Sequence, residues 1–136
     1  MKKIVFACVH NAGRSQIAAG WARHLAGDRL EVVSAGTQPG PHLNAQVVAA
    51  MREAGIDLSG VQPQLLTPEL AHGADYIVTM GCGESCPVIP GVKRLDWPIT
   101  DTQGQPIEVV RKIRDQIQER VLDLLRSEGV LHRSSH

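Results

Sequence analysis

Aromatic side chains are scarce in this chain: two tryptophans, one tyrosine and one phenylalanine in 136 residues. Three of them fall on elements expected to face the core, so few rings remain to wall a pocket for an aromatic ligand. An excess of either charge is also missing. Fourteen Lys and Arg balance fourteen Asp and Glu, which leaves no global field for nucleic acid or an anionic membrane. Any recognition of an anion must therefore be local. Long apolar runs are absent too, and none approaches the ~20 residues that span a bilayer. Lys2, Lys3 and the stretch IVFACV resemble the start of a secretory signal, but the stretch meets a polar loop after six residues. It reads as a buried strand. The three cysteines are an odd count, unsuited to a structural disulfide framework. A cytoplasmic location is expected, where thiols are catalytic, redox-active or metal-binding.

What is present is an alternation of strand-like and helical segments. Lys3–Val9 and Leu30–Gly36 are apolar and β-branched, as buried parallel strands are. Asp75–Met80 and Val92–Trp97 supply a third and a fourth. Between them, Ile17, Trp21 and Leu25 share one face of a helix over Ser15–Leu25. Asn44 is placed to cap a helix over Ala45–Ala54, which Gly55 would end. A last helix starts with Pro106 at its first position and repeats Val110, Ile113, Ile117, Val121 and Leu124. The pattern predicts an α/β three-layer sandwich: a four-stranded parallel sheet with helices on both faces. One domain over residues 1–129 is expected, with a flexible tail at 130–136.

Sheets of this kind carry their functional loops at the carboxyl ends of the strands. Here those ends bear Cys8, Cys82 and Asp101 or their near neighbours. After the first strand comes the loop of Val9, His10, Asn11, Ala12, Gly13 and Arg14, followed by Ser15. A loop of that length between Cys8 and Arg14 can curl its N–H groups inward as a nest for an oxyanion. The following helix adds the positive end of its dipole. Gly13 supplies backbone freedom, and Asn11 tolerates a left-handed conformation. Arg14 offers a planar fork to two oxygens of a tetrahedral anion. Ser15 can donate to the Cys8 sulfur, and donors that hold an oxyanion also stabilise a thiolate. Cys8 is thus the expected nucleophile. The bland reading, a buried cysteine beside an ordinary turn, leaves the surrounding Asn, Gly, Arg and Ser unexplained.

CVHNAGRS, with VVSAGTQP, GIDLSG, TMGCGESCP and DWPITDTQG, resembles the low-molecular-weight tyrosine phosphatases and the arsenate reductases built on the same fold. The resemblance spans nearly the whole chain and is closest to the reductases. It implies that Cys8 attacks arsenate, that Cys82 attacks the Cys8 sulfur to release arsenite, and that Cys86 then takes up Cys82 as a disulfide. Thioredoxin would reopen that disulfide, and no tightly bound cofactor is implied. Spacing alone says only that a Cys82–Cys86 disulfide is feasible. Other readings of the pair stay open: inert loop cysteines in a phosphatase, or a metal site, for which only His72 is near and no metal is expected. A small thiol such as glutathione, mycothiol or bacillithiol could also replace Cys82 as the attacking group. A further reading is a non-enzymatic module that binds oxyanions or senses oxidation.

The same resemblance places Asp101 as the general acid, with Asp96 its rival. Proline usually follows this aspartate; here Thr102 does, which predicts a looser loop. Relatives that bind potassium beneath the loop use Asn, a helix acid and Ser. Asn11 and Ser34 match but Ala19 stands at the acid, so no tight potassium site is expected. His10, where the phosphatases commonly have glycine, is expected to be a tolerated rim side chain. The expected partners are arsenate or phosphate and thioredoxin, with no nucleic acid and no membrane, and the expected state is a monomer.

Overall fold

Each strand of the computed structural model, which describes residues 1–83, 86 and 88–131, runs parallel to its neighbours. The strands are β1 (Lys2–Cys8), β2 (Leu30–Gly36), β3 (Tyr76–Thr79) and β4 (Lys93–Asp96), in the spatial order β2-β1-β3-β4. The helices are α1 (Arg14–Ala26), α2 (Ala45–Glu53), α3 (Pro68–Ala71) and α4 (Ile107–Glu128). The expected α/β fold is therefore formed, with unequal layers.

Alternation along β1 divides the core. Ile4, Phe6 and Cys8 point into a large cluster with residues of α1, α2 and α4. Val5 and Ala7 point the other way, into a smaller cluster with Leu66, Ala71, Ile77, Cys82 and Cys86. Because β1 carries apolar side chains on both faces, it must be central, and the order of strands makes it so. Among the described residues the second face carries only the four-residue α3 and loops.

The stripe expected on α4 is buried at all five positions, joined by Leu125. Pro106 lies one residue earlier than expected, at the N-cap with extended backbone. Asn44 caps α2 as expected, its side chain accepting from the N–H groups of Gln46 and Val47. α3 was not foreseen: Thr67 caps it and Pro68 opens it, but a single turn shows no periodicity. The chain just after Gly129 packs on the core. Val130 is buried and its N–H bonds to the Leu125 carbonyl, with Leu131 packed against the core. Gly129 turns the chain back in a left-handed conformation. Residues 132–136 lie outside the described residues.

The order of strands also positions the site. From β1 the chain steps to β2 on one side and then crosses back to β3 and β4 on the other, so β1 and β3 flank the switch point of the sheet. The Cys8 loop leaves β1 at that crevice, and the Cys82 loop leaves β3.

Candidate active site

Cys8 ends β1, and α1 begins six residues on at Arg14. Gly13, the N-cap of α1, has no side chain to cap with. The first N–H groups of the helix are therefore available to an anion. Asn11 is the single non-glycine residue with positive φ (53°) among those described, which is the left-handed turn expected of it. Gly13 is needed for a different reason from the one expected: its φ is negative. A Cβ there would collide with the Thr102 hydroxyl.

Beneath the loop lies a buried polar net. The Cys8 sulfur is 2.9 Å from the Ser15 hydroxyl, which accepts from Asn11 Nδ2 at 2.7 Å. Since Asn11 already donates to that oxygen, the Ser15 proton is free to point at the sulfur. Gln16 Nε2 donates to both the carbonyl and the side-chain oxygen of Asn11, at 3.0 Å each. Asn11 Oδ1 also accepts from the Gln64 N–H, and Ser34 donates to Gln16 Oε1. Asn11, Ser15 and Gln16 are fully buried. Asn11 and Ser34, the two residues matching the potassium pattern, are thus both engaged by Gln16. Sequence reasoning missed Gln16 and Gln64; a glutamine inside the apolar start of α1 was the available signal.

Arg14 is 8% exposed. Its Nη1 donates to the Ile99 carbonyl at 3.0 Å, and its Nη2 stands 3.6 Å from Asp101 Oδ2. Gly81 closes the space behind it, since a Cβ there would strike the guanidinium and φ is +90°. Asp101 is half exposed and accepts from the Gln103 N–H. The loop expected to be loose is anchored: Thr102 is buried against Gly13, and its carbonyl accepts from Gln105 N–H and Asn44 Nδ2. Cys8, Arg14 and Asp101 line one cavity of about 330 Å³. His10, Ala12, Gly13, Leu43 and Gln103 are among its other walls. Its rim has histidines at 10 and 42 and no phenylalanine, tyrosine or tryptophan.

Asp96 is placed elsewhere. It accepts from Thr79 Oγ1 and, at 2.9 Å, from Arg94 Nε. Hydrogen bonding to Thr79 and then to Arg94 holds its carboxyl below the usual range. It lines a separate cleft with Gly81, Gly83 and Trp97. That arrangement favours Asp101 over Asp96 as a group facing Cys8.

Cys82 and Cys86 form a disulfide, with Cα atoms 5.4 Å apart. Both are buried in the smaller core cluster and neither lines the Cys8 cavity. The three sulfurs thus share the carboxyl edge of the sheet but not one pocket in this state, and Cys8 is the free thiol. No three His, Cys, Asp or Glu gather as a metal site among the described residues. No helix among them is long and apolar enough to cross a membrane.

Residues 3–133 match the low molecular weight phosphotyrosine protein phosphatase family. A putative arsenate reductase of Halobacterium salinarum is 39% identical, covering 90% of this chain and 89% of that protein. An arsenate reductase of Bacillus licheniformis is also 39% identical, covering 88% and 92%. Among solved structures, a thioredoxin-dependent arsenate reductase of Corynebacterium glutamicum superposes with a TM-score of 0.82 at 38% identity. That match covers 93% of this chain, which spans 61% of the Corynebacterium chain. With the Cys8 loop, a buried arginine and a cysteine pair at one sheet edge, and identity of this extent, the chain belongs to the low molecular weight phosphotyrosine protein phosphatase family, in the branch that holds arsenate reductases.

Proposed function

We propose that this chain reduces arsenate to arsenite, drawing two electrons from its own thiols and recovering them from thioredoxin. The observation that carries the reading is the Cys82–Cys86 disulfide at the same edge of the sheet as the cavity lined by Cys8, Arg14 and Asp101. Ester hydrolysis needs one thiol and water; a reductase needs a place to put oxidising equivalents.

In the proposed cycle the Cys8 thiolate attacks arsenic(V), held by loop N–H groups and the Arg14 fork. An arsenate oxygen leaves as water after taking a proton from Asp101. Cys82 thiolate then attacks the Cys8 sulfur; the S–As bond breaks and its electron pair stays on arsenic. Arsenite departs as arsenic(III), leaving a Cys8–Cys82 disulfide. Cys86 attacks Cys82, frees Cys8 as thiolate, and leaves the Cys82–Cys86 disulfide seen here. A thioredoxin dithiol reopens it by exchange. Ser15 and Asn11 hold the Cys8 sulfur in place throughout. We assign the cytoplasm as the setting and a monomer as the working unit.

Coupled turnover tests this directly: arsenate with thioredoxin, thioredoxin reductase and NADPH, read as NADPH loss and arsenite release. Full turnover by Cys82→Ser would refute the internal relay and favour an external small thiol. Any turnover by Cys8→Ser would refute the site itself. A second, weaker activity is also supported, because Cys8, Arg14 and Asp101 line the cavity without help from the cysteine pair. Slow hydrolysis of an aryl phosphate that survives Cys82→Ser is the expected sign.

A further inference from the structure

We propose that Arg94 is a clamp on the disulfide loop that stabilises the closed Cys82–Cys86 form and so sets its reduction potential. The inference rests on the relay just proposed and assigns a residue that the relay does not contain. Arg94 Nη2 donates to the Gly83 carbonyl at 2.8 Å, and its Nη1 to the Cys86 carbonyl at 3.3 Å. Its third nitrogen, Nε, donates to Asp96 at 2.9 Å. Asp96 in turn accepts from Thr79, which ends β3 and is buried. One planar guanidinium is therefore fixed to the β3–β4 pair on one edge and grips two loop carbonyls with the other.

The Cys86 N–H bonds the Gly83 carbonyl at 3.3 Å, and the disulfide, with Cα atoms 5.4 Å apart, is the covalent restraint that keeps both carbonyls on one fork. Opening the bond removes that restraint, and separating the two residues breaks at least one of the fork's contacts. The clamp thus favours the disulfide over the dithiol. An arginine near cysteines could act in the opposite sense, by stabilising their thiolates after reduction. Here the Asp96 carboxylate on the same guanidinium offsets that charge, so the geometric effect dominates. The clamp also slows reduction, because both cysteines are buried while it holds.

The test equilibrates the Cys8→Ser protein, in which only the pair titrates, with reduced and oxidised dithiothreitol. Each turn moves two electrons and two protons from dithiothreitol to the Cys82–Cys86 disulfide. Alkylation and mass spectrometry read the fraction oxidised. Arg94→Ala is expected to shift the equilibrium about tenfold toward the dithiol, a rise of about 30 mV for a two-electron couple. Arg94→Lys, which keeps charge but loses the fork, should show most of that shift. Thioredoxin should reduce Arg94→Ala faster than the parent, and the melting temperatures of its oxidised and reduced forms should lie closer together. An unchanged equilibrium, or equal loss of stability in both forms, would reduce Arg94 to a structural residue and overturn the proposal. A shift toward the disulfide in Arg94→Ala, absent in Arg94→Lys, would show thiolate stabilisation instead and overturn it too. If the parent pair cannot be reduced at all, the relay fails; if it is reducible but arsenate is not turned over, the function fails and the clamp stands.

Discussion

Arg14 has its two terminal nitrogens aimed at different groups, the Ile99 carbonyl and the Asp101 carboxylate, while Gly81 blocks retreat. The guanidinium plane is thus set before any anion arrives, which is what electrostatic preorganisation requires. Arg14→Lys keeps a charge but loses the fork. Arsenate kcat/KM should fall about 10²–10³-fold, the range for losing one oxyanion donor, with the far-ultraviolet circular dichroism unchanged. Asn11 does more structural work than its neighbours: it orients Ser15, accepts from Gln16 and Gln64, and holds a left-handed turn. Asn11→Ala strands several buried polar groups and strains the backbone, so about 2–4 kcal/mol of stability should be lost. Urea unfolding measures it. That Cys8, Arg14, Ser15 and Asp101 gather in one place was legible in the sequence, because local order along one loop, or a family motif, announces it. Gln64, Gly81 and Arg94 were not, since each acts across distant segments that only the folded sheet brings together.

At the scale of elements, the end of β2 passes so close under the Cys8 loop that Gly36 has no room for a side chain. A Cβ there would lie 2.5 Å from the Val9 carbonyl and 2.9 Å from the Asn11 N–H. Both contacts are with backbone, which cannot rotate away. Gly36→Ala must therefore lift the loop, at a cost of about 1–3 kcal/mol. Its kcat/KM for arsenate should drop at least about tenfold, a misplacement effect, while thioredoxin still reduces the cysteine pair. Retained full activity would show that the loop tolerates displacement. The elements themselves were readable to different degrees. α4 announced itself through a buried stripe at helical spacing, and α2 through its Asn44 cap. α3 is one turn and left no period to find. The packing of Val130 was hidden because two apolar residues after a glycine look the same whether they pack or fray. Thr102 departs from the proline of the family pattern, and its burial against Gly13 was not visible in the sequence.

Across the whole molecule, the site sits at the carboxyl edge of the sheet, and a charged cluster joins chain segments remote from it. Glu128 ends α4, where a carboxylate is poorly matched to the helix dipole. Lys2 of β1 bonds it at 2.9 Å and Tyr76 of β3 donates to it at 2.8 Å. Lys2 first, then Tyr76, holds the Glu128 carboxyl below its ordinary value of 4.5. A carboxyl depressed in the folded state contributes stability that is present above the unfolded value. That contribution fades as pH falls from about 4.5 through the lower folded value. The hydroxyl of Tyr76 titrates in the opposite sense, raised above its ordinary value of 10.0 chiefly by its bond to Glu128. Its share is complete below pH 10 and is lost as pH rises through the folded value. Urea midpoints of the parent and Glu128→Gln should therefore differ at pH 7 and converge toward pH 3. They should also converge at strongly alkaline pH, where Tyr76 no longer donates. Arsenate turnover at neutral pH should be nearly the same in both, because the cluster touches neither the Cys8 cavity nor the disulfide loop. A midpoint difference that stayed constant from pH 3 to 7 would mean that ionisation of the carboxyl gains nothing from its two partners.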